Sequence, residues 1–254
     1  MAELARIFHS DLIRLKRTYI VPMHFCVALV GMGLYLAYYR FSNYDSVTKV
    51  ILYLQLISIS FPLLLSVVCS ICIAQEYYSG GYKYMLTSSN PKYLTLLSKH
   101  LMLIGFAFVA TLVSVLGFRF GVSAIFNENY FTLNFYVNSI LILIGSNILE
   151  YILHLFLSLR FGKGLSIAIG VVETLLAGRL LTELGDSIWQ YIPCAWGPRF
   201  LDVWTSFSRS KEFLSIESIG KIQFIGLICS FVTILAFVIL CIWFSKWEGK
   251  KSEE

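Results

Sequence analysis

Val50-Ile51-Leu52-Tyr53-Leu54-Gln55-Leu56-Ile57-Ser58-Ile59-Ser60-Phe61-Pro62-Leu63-Leu64-Leu65-Ser66-Val67-Val68-Cys69-Ser70-Ile71-Cys72-Ile73-Ala74 has no charged residue. It exceeds the roughly 20 mostly apolar residues that a helix needs to cross a hydrocarbon core. Pro62 inside it removes one backbone hydrogen bond, so the helix is expected to kink there. Outward from this stretch, five others have the same character: Ile20–Tyr39, Leu96–Phe118, Val137–Leu159, Leu165–Leu181 and Phe224–Phe244. Six apolar segments predict an all-α polytopic membrane protein with six transmembrane helices. Hydrophobic residues make up 57% of the chain and charged residues 14%. A soluble domain carries about a quarter charged residues, so this composition excludes a disordered chain, a coiled coil and an ordinary soluble enzyme.

Residues 1–254 read as one membrane domain. A helix in 1–18 is followed by spans 1 and 2 within 20–74 and a connection over 75–95. Spans 3 to 5 fall within 96–181. A long connection over 182–221, span 6 at 224–244 and a tail over 245–254 complete the chain. In the first part, Leu4, Ile7, Phe8, Leu12 and Leu15 follow helical spacing, with Arg6, Arg14, Lys16 and Arg17 over much of the remaining surface. Such a helix lies in the membrane interface, its basic groups near anionic headgroups. The run after it is too long for the core of a signal peptide and is read as an uncleaved first span.

The net charge of +5 comes from 20 Lys and Arg against 15 Asp and Glu. The basic residues sit at the ends of apolar segments and form no single patch, so nucleic acid is not an expected partner. Their distribution reports orientation instead. With the N-terminus inside, the larger share of the 20 lies on the inner side, which places both termini in the cytoplasm. Cys69 and Cys72 have redox or metal spacing but no second pair and no nearby His, and they read as small packing residues.

Polar residues inside the spans mark candidate sites. Asn147, Glu150 and His154 share one face of span 4 by their spacing. Glu173 lies mid-way along span 5, with Arg179 nearer its outer end. A polar stripe in lipid is costly, so this face should look into protein or a water-filled cavity. It serves a substrate path or proton relay, or it fixes helix assembly by hydrogen bonds. Glu150 and Glu173 are not an adjacent pair like the glutamates of an intramembrane protease. The four histidines do not cluster, and there is no G-x-S-x-G and no H-E-x-x-H, so neither a catalytic residue nor a metal site is expected. Gly162-Lys163-Gly164 lacks the remainder of a P-loop, so ATP hydrolysis would need another chain.

Two connections carry further information. The inner one runs Gln75-Glu76-Tyr77-Tyr78-Ser79-Gly80-Gly81-Tyr82-Lys83 and on to Ser88-Ser89-Asn90-Pro91, with a Gly-Gly break and a closing turn. The outer one, from Leu184-Gly185-Asp186 through Trp189, Pro193, Cys194 and Trp196 to Arg199, mixes aromatics with helix breakers. A re-entrant or surface-lying helical hairpin would fit it.

On these residues the chain resembles the ABC-2 type permeases. Glu76-Tyr77-Tyr78-Ser79-Gly80-Gly81 to Pro91 looks like that family's coupling segment. More narrowly, the chain is similar to the lantibiotic-immunity permeases of Gram-positive bacteria. That likeness rests on Arg14-Leu15-Lys16-Arg17-Thr18, Gln75-Glu76, Gly145-Ser146-Asn147 and the outer run Leu184-Gly185-Asp186, Trp189, Pro193, Trp196 and Arg199. The resemblance implies a permease in the bacterial cell membrane, working with a second permease, a paralogue, on a pair of ATPase subunits that bind ATP and Mg. The complex would return lantibiotic, a cationic peptide, from the membrane to the medium. Glu76, Gly80, Gly81, Tyr82 and Pro91 would then couple to the ATPase. The outer hairpin would meet peptide, with Glu183, Asp186, Asp202, Glu212 and Glu217 supplying acidic groups. Two other readings stay open: an ABC-2 exporter of a lipid, drug or polysaccharide, and a peptide-binding sensor that transports nothing.

Overall fold

The structure is a computed structural model that describes residues 2–15, 18–87, 91–209 and 216–249. Lys16, Arg17, Ser88, Ser89, Asn90, Lys211, Glu212, the side chain of Glu217 and the tail from Lys250 lie outside the described residues. Every regular element among those described is helical: α1 (Ala2–Leu15), α2 (Ile20–Phe41), α3 (Ser46–Tyr78), α4 (Lys83–Leu86), α5 (Lys92–Phe126), α6 (Leu133–Ser146), α7 (Ile148–Arg160), α8 (Lys163–Leu180), α9 (Trp196–Arg209) and α10 (Ile216–Lys246). Five stretches are long and apolar enough to cross a membrane: α2, α3, α5, the α6–α7 pair and Ile219–Lys246 of α10.

The expected fifth span, Leu165–Leu181, is present as α8 but does not join those five. It has 18 residues and carries Lys163, Glu173 and Arg179. Its outward face is nevertheless apolar, with Val171, Val172, Leu175 and Leu176 exposed.

The long helices have local causes. The Asp45 carboxylate caps α3 by accepting from the Thr48 N–H at 3.0 Å. With 33 residues α3 is about 50 Å long, so its ends project beyond a hydrocarbon core of about 30 Å. Span 4 is interrupted at Asn147, between α6 and α7. There the Asn147 side chain donates to the Leu143 carbonyl at 2.7 Å, satisfying backbone where the ladder changes.

Pro62 decides how α8 packs. Proline has no N–H and crowds the carbonyl one turn earlier, so the helix ladder opens around it. The neighbouring Leu63 N–H donates to Thr174 Oγ1 of α8 at 3.1 Å. Gly170 makes the close approach possible: a Cβ there would lie 2.2 Å from Ser66 Oγ and 3.0 Å from the Pro62 carbonyl. α8 thus runs antiparallel to α3, with Lys163 beside Ser70 and Gly178 beside Ile59.

At one end of the bundle, α1 lies across α5 with Ile7, Asp11 and Leu15 buried. The Tyr82 ring packs on Trp247 at 5.0 Å, and Lys92 Nζ donates to the Trp247 carbonyl at 3.0 Å. The first helix, the α3–α5 connection and the end of α10 therefore share this end. At the other end, the Tyr39 hydroxyl donates to Glu128 and the Tyr35 hydroxyl to the Lys49 carbonyl. Among the described residues, the connection after α8 departs from the expected helical hairpin. Three single 3-10 turns, Glu183–Gly185, Trp189–Tyr191 and Pro193–Ala195, lead into one amphipathic helix, α9, which packs on α6 and α3. Gly185 lies against the Leu180 carbonyl, where a Cβ would come within 1.9 Å, and Pro193 can open a helical turn but not continue one.

Gly170→Val should therefore push α8 off α3. Overpacking of this kind costs about 1–3 kcal/mol, read as a lower unfolding midpoint in detergent. Gly164→Ala, which meets no atom within 4 Å, should leave the midpoint unchanged.

Candidate functional site

Four charges converge where α1, α3 and α5 meet. Lys99 Nζ lies 2.7 Å from Asp11 Oδ1 and 2.7 Å from Glu76 Oε1. Arg14 Nη2 donates to Glu76 Oε2 at 3.0 Å, and Ser98 Oγ donates to Asp11 Oδ2 at 2.6 Å. The Arg14 guanidinium also lies over the Tyr84 ring, 4.1 Å from its centre. Asp11 is 0% exposed, Lys99 1% and Glu76 5%. Two acids and two bases leave no net charge, and this balance is what makes such burial tolerable. Glu76 is consequently committed to the fold, with both its oxygens engaged inside the protein.

Glu76 ends in a rigid elbow. The Tyr82 N–H donates to the Glu76 carbonyl at 3.2 Å, and the Gly81 N–H donates to the Tyr77 carbonyl at 2.7 Å. Gly80, Gly81 and Tyr82 have φ of 138°, 63° and 67°. Glycine adopts such values freely, but for tyrosine the left-handed region costs about 1–2 kcal/mol. Burial against Tyr77 and Trp247 offsets that cost. The same burial raises the pKa of the Tyr82 phenol above 10.0, with Tyr77 adding to the rise. Tyr77, Tyr78, Gly80, Gly81 and Lys83 remain exposed, as does Pro91 at the start of α5.

The polar stripe of span 4 divides. Asn147 turns to the α6–α7 break and to Gly197 of α9. Glu150 and His154 face α8 instead. His154 Nε2 lies 2.7 Å from Glu173 Oε2 and 3.8 Å from Glu150 Oε2, and its Nδ1 lies 2.9 Å from Ser166 Oγ. The two glutamates, separated in sequence, thus meet at one histidine. This corrects the expectation that they stand apart: α7 and α8 run side by side after the tight turn at Gly162.

The segment from Glu183 to Arg199 is a cap. Arg199 donates from Nε to the Leu180 carbonyl at 2.7 Å and from Nη2 to the Thr182 carbonyl at 2.6 Å, and Nη1 pairs with Asp186 at 2.7 Å. It thereby serves the carbonyls at the end of α8, a common role for a cation there. Trp189 and Trp196 are buried. Trp189 packs edge-on against Phe200, and Trp196 Nε1 donates to the Gln190 carbonyl at 3.1 Å. Pro193 opens the third 3-10 turn, and Tyr191 is the exposed aromatic of the segment. Burial raises the pKa of Asp202, Arg199 opposes the shift and Asp186 adds to it. The tryptophans and Asp186 are thus engaged within the cap itself. Below it, a lateral groove of about 780 Å³ runs between α6, α9 and α10, lined by Ser146, Trp196, Phe200, Trp204, Cys229 and Thr233 among others.

Asp11, Ser98, Lys99 and Ser166 escape the reading of the sequence. A signal for Asp11 exists: it lies four residues after Ile7 and four before Leu15, inside the apolar stripe of α1. Lys99 sits at α-helical spacing from Leu96, Met102 and Leu103, all buried.

Removing one partner of a buried ionic network strands the others. Lys99→Met should cost about 3–5 kcal/mol of stability, and adding Asp11→Asn should recover part of it. Unfolding titrations of the two variants in detergent measure the coupling, and two purely additive losses would remove Lys99 from the network.

No family model matches the chain, nor does any curated protein or any solved structure.

Proposed function

We propose that this chain is the membrane permease subunit of a bacterial ABC-2 type exporter that lifts a lantibiotic out of the cell membrane to the outside and so protects the producer. The observation that carries the reading is the elbow after α3. Its backbone is locked, its tip is exposed, and it is joined to three helices: α1 through Glu76–Arg14, α5 through Glu76–Lys99 and α10 through Tyr82–Trp247. A push on such a tip moves helix ends together. An ATPase pair holding ATP and Mg in a separate subunit would supply the push, and a second permease would close the path. Gly80, Gly81, Tyr78 and Lys83 are the contact surface in this reading. Glu76 and Tyr82 transmit the movement from inside.

In the same reading α8 is the sixth crossing. Its antiparallel course along α3 and the return of α10 to the elbow support this, with both termini on the cytoplasmic side. The lateral groove would receive substrate from the membrane. Among the described residues its lining has no charged side chain, which favours a second reading, export of a lipid or another apolar molecule, over a site for the charges of a cationic peptide.

Coexpression and pull-down of the tagged chain in mild detergent should recover a soluble P-loop ATPase in stoichiometric amount. Recovery of the chain alone would remove the transporter reading. Gly81→Val, strained at φ 63° on an exposed turn, should leave the ATPase bound yet weaken protection about tenfold, the size of a typical coupling energy. A cysteine placed at the exposed Leu184 of a cysteine-free chain should react with an impermeant maleimide added outside cells. Labelling only after the membrane is opened would argue against the sixth crossing.

A further inference from the structure

The geometry points to a binding site for one divalent transition-metal ion, formed by Glu150 and His154 of α7 and Glu173 of α8. It stands apart from the transport reading, because its argument and its test involve neither substrate nor ATPase.

The three side chains converge. One ligand atom from each lies within 4.8 Å of the other two, and the His154–Glu173 and His154–Glu150 separations are 2.7 and 3.8 Å. Metal–ligand bonds of about 2.0–2.2 Å hold neighbouring ligand atoms roughly 3–3.5 Å apart. One pair is shorter and the other longer than that spacing, so an ion would replace the His154–Glu173 hydrogen bond and draw the Glu150 carboxylate in.

Their hydrogen bonding is incomplete in one specific way. Ser166 engages His154 Nδ1 and orients the ring. If both carboxyls are ionised and Nδ1 carries the proton, the Nε2 lone pair faces two carboxylates and three acceptors meet with no donor. If Nε2 carries it, that proton goes to Glu173, and Glu150 Oε2 still has no partner although the side chain is 1% exposed. Either tautomer lacks a positive charge at the same point. The α1–α3–α5 cluster is the contrast: there Lys99 and Arg14 balance two carboxylates. Here, among the described residues, His154 is the one cationic partner of Glu150 and Glu173. Two carboxylates against at most one imidazolium, deep among apolar helices, are a costly excess of negative charge. A divalent ion removes that excess, as does a proton held between the two carboxyls, and the two differ in whether metal is retained.

The donor set selects the ion class. One imidazole nitrogen and two carboxylate oxygens suit zinc or a neighbouring first-row ion, whereas calcium and magnesium favour all-oxygen sites. A metal-bound histidine usually has its second ring nitrogen held by a hydrogen bond that fixes the ring, and Ser166 Oγ supplies one here. The partly exposed Glu173 gives the ion a way in. Once bound, it would tie α7 to α8 across their interface.

The test uses the full chain purified in mild detergent, with zinc as the probe and magnesium as the control. Metal analysis after washing, and titration against a chromophoric chelator, should give about one tightly held zinc per chain. Glu150→Gln and His154→Gln should weaken binding more than tenfold, and Ser166→Ala should weaken it about 10–100-fold, the usual effect of removing a supporting group. Cys69→Ser with Cys72→Ser should leave binding intact. Zinc should raise the unfolding midpoint of the wild-type chain and not that of Glu150→Gln. If the wild-type chain shows no saturable zinc binding, the proposal fails even where a variant does not fold. It fails equally if zinc survives Glu150→Gln or is lost with the cysteine pair, and the cluster then holds protons alone.

Discussion

Pro62 adds no N–H to the ladder of α3, and the packing at the centre of this bundle turns on that residue. The Leu63 N–H beside it donates to Thr174 of α8. In hydrocarbon every such group must be satisfied by protein. The solution places α8 against α3 at a distance that only Gly170 permits. With α8 held there, Glu173 comes to His154 and Ser166 to the other side of the same ring. The polar centre between α7 and α8 thus follows from a seam whose cause lies on a third helix.

The opposite design governs the end that carries the elbow. There the helices are joined by charge, and the charges cancel. Asp11 and Glu76 share Lys99, and Arg14 closes the set while stacking on Tyr84. The network fixes α1, which otherwise contributes only a narrow apolar stripe, to the ends of two long helices. Aromatic packing of Tyr82 on Trp247 adds α10. Four elements thereby meet around an exposed turn of glycines.

The helical class and the apolar stretches are legible in the sequence because a hydrocarbon solvent demands long uncharged runs. α8 is the informative exception. Its Lys163, Glu173 and Arg179 weaken the apolar pattern, yet Lys163 and Arg179 stand exposed near its two ends and Glu173 alone turns inward, to His154 of α7. The site is less legible than the fold. Glu150 and His154 announce themselves by helical spacing, but their meeting with Glu173 depends on the turn at Gly162, which spacing does not encode. Asn147 shares their spacing and still parts from them, because it resolves the helix break that follows Gly145-Ser146. Trp189 and Trp196 are equally ambiguous on paper, since aromatics among glycines and prolines suit an interface anchor as well as a packed cap.

The closed charge network has a consequence for stiffness. Mobile ions weaken attractions between charges that water surrounds, over a distance of about 8–10 Å at ordinary ionic strength. Asp11 and Lys99 are shut away from that atmosphere, and Glu76 nearly so. Added salt reaches only the Arg14 side of the set, which is about a third exposed. The joint between the first helix and the elbow therefore keeps its rigidity across saline and dilute conditions alike, as a hinge pin of fixed strength.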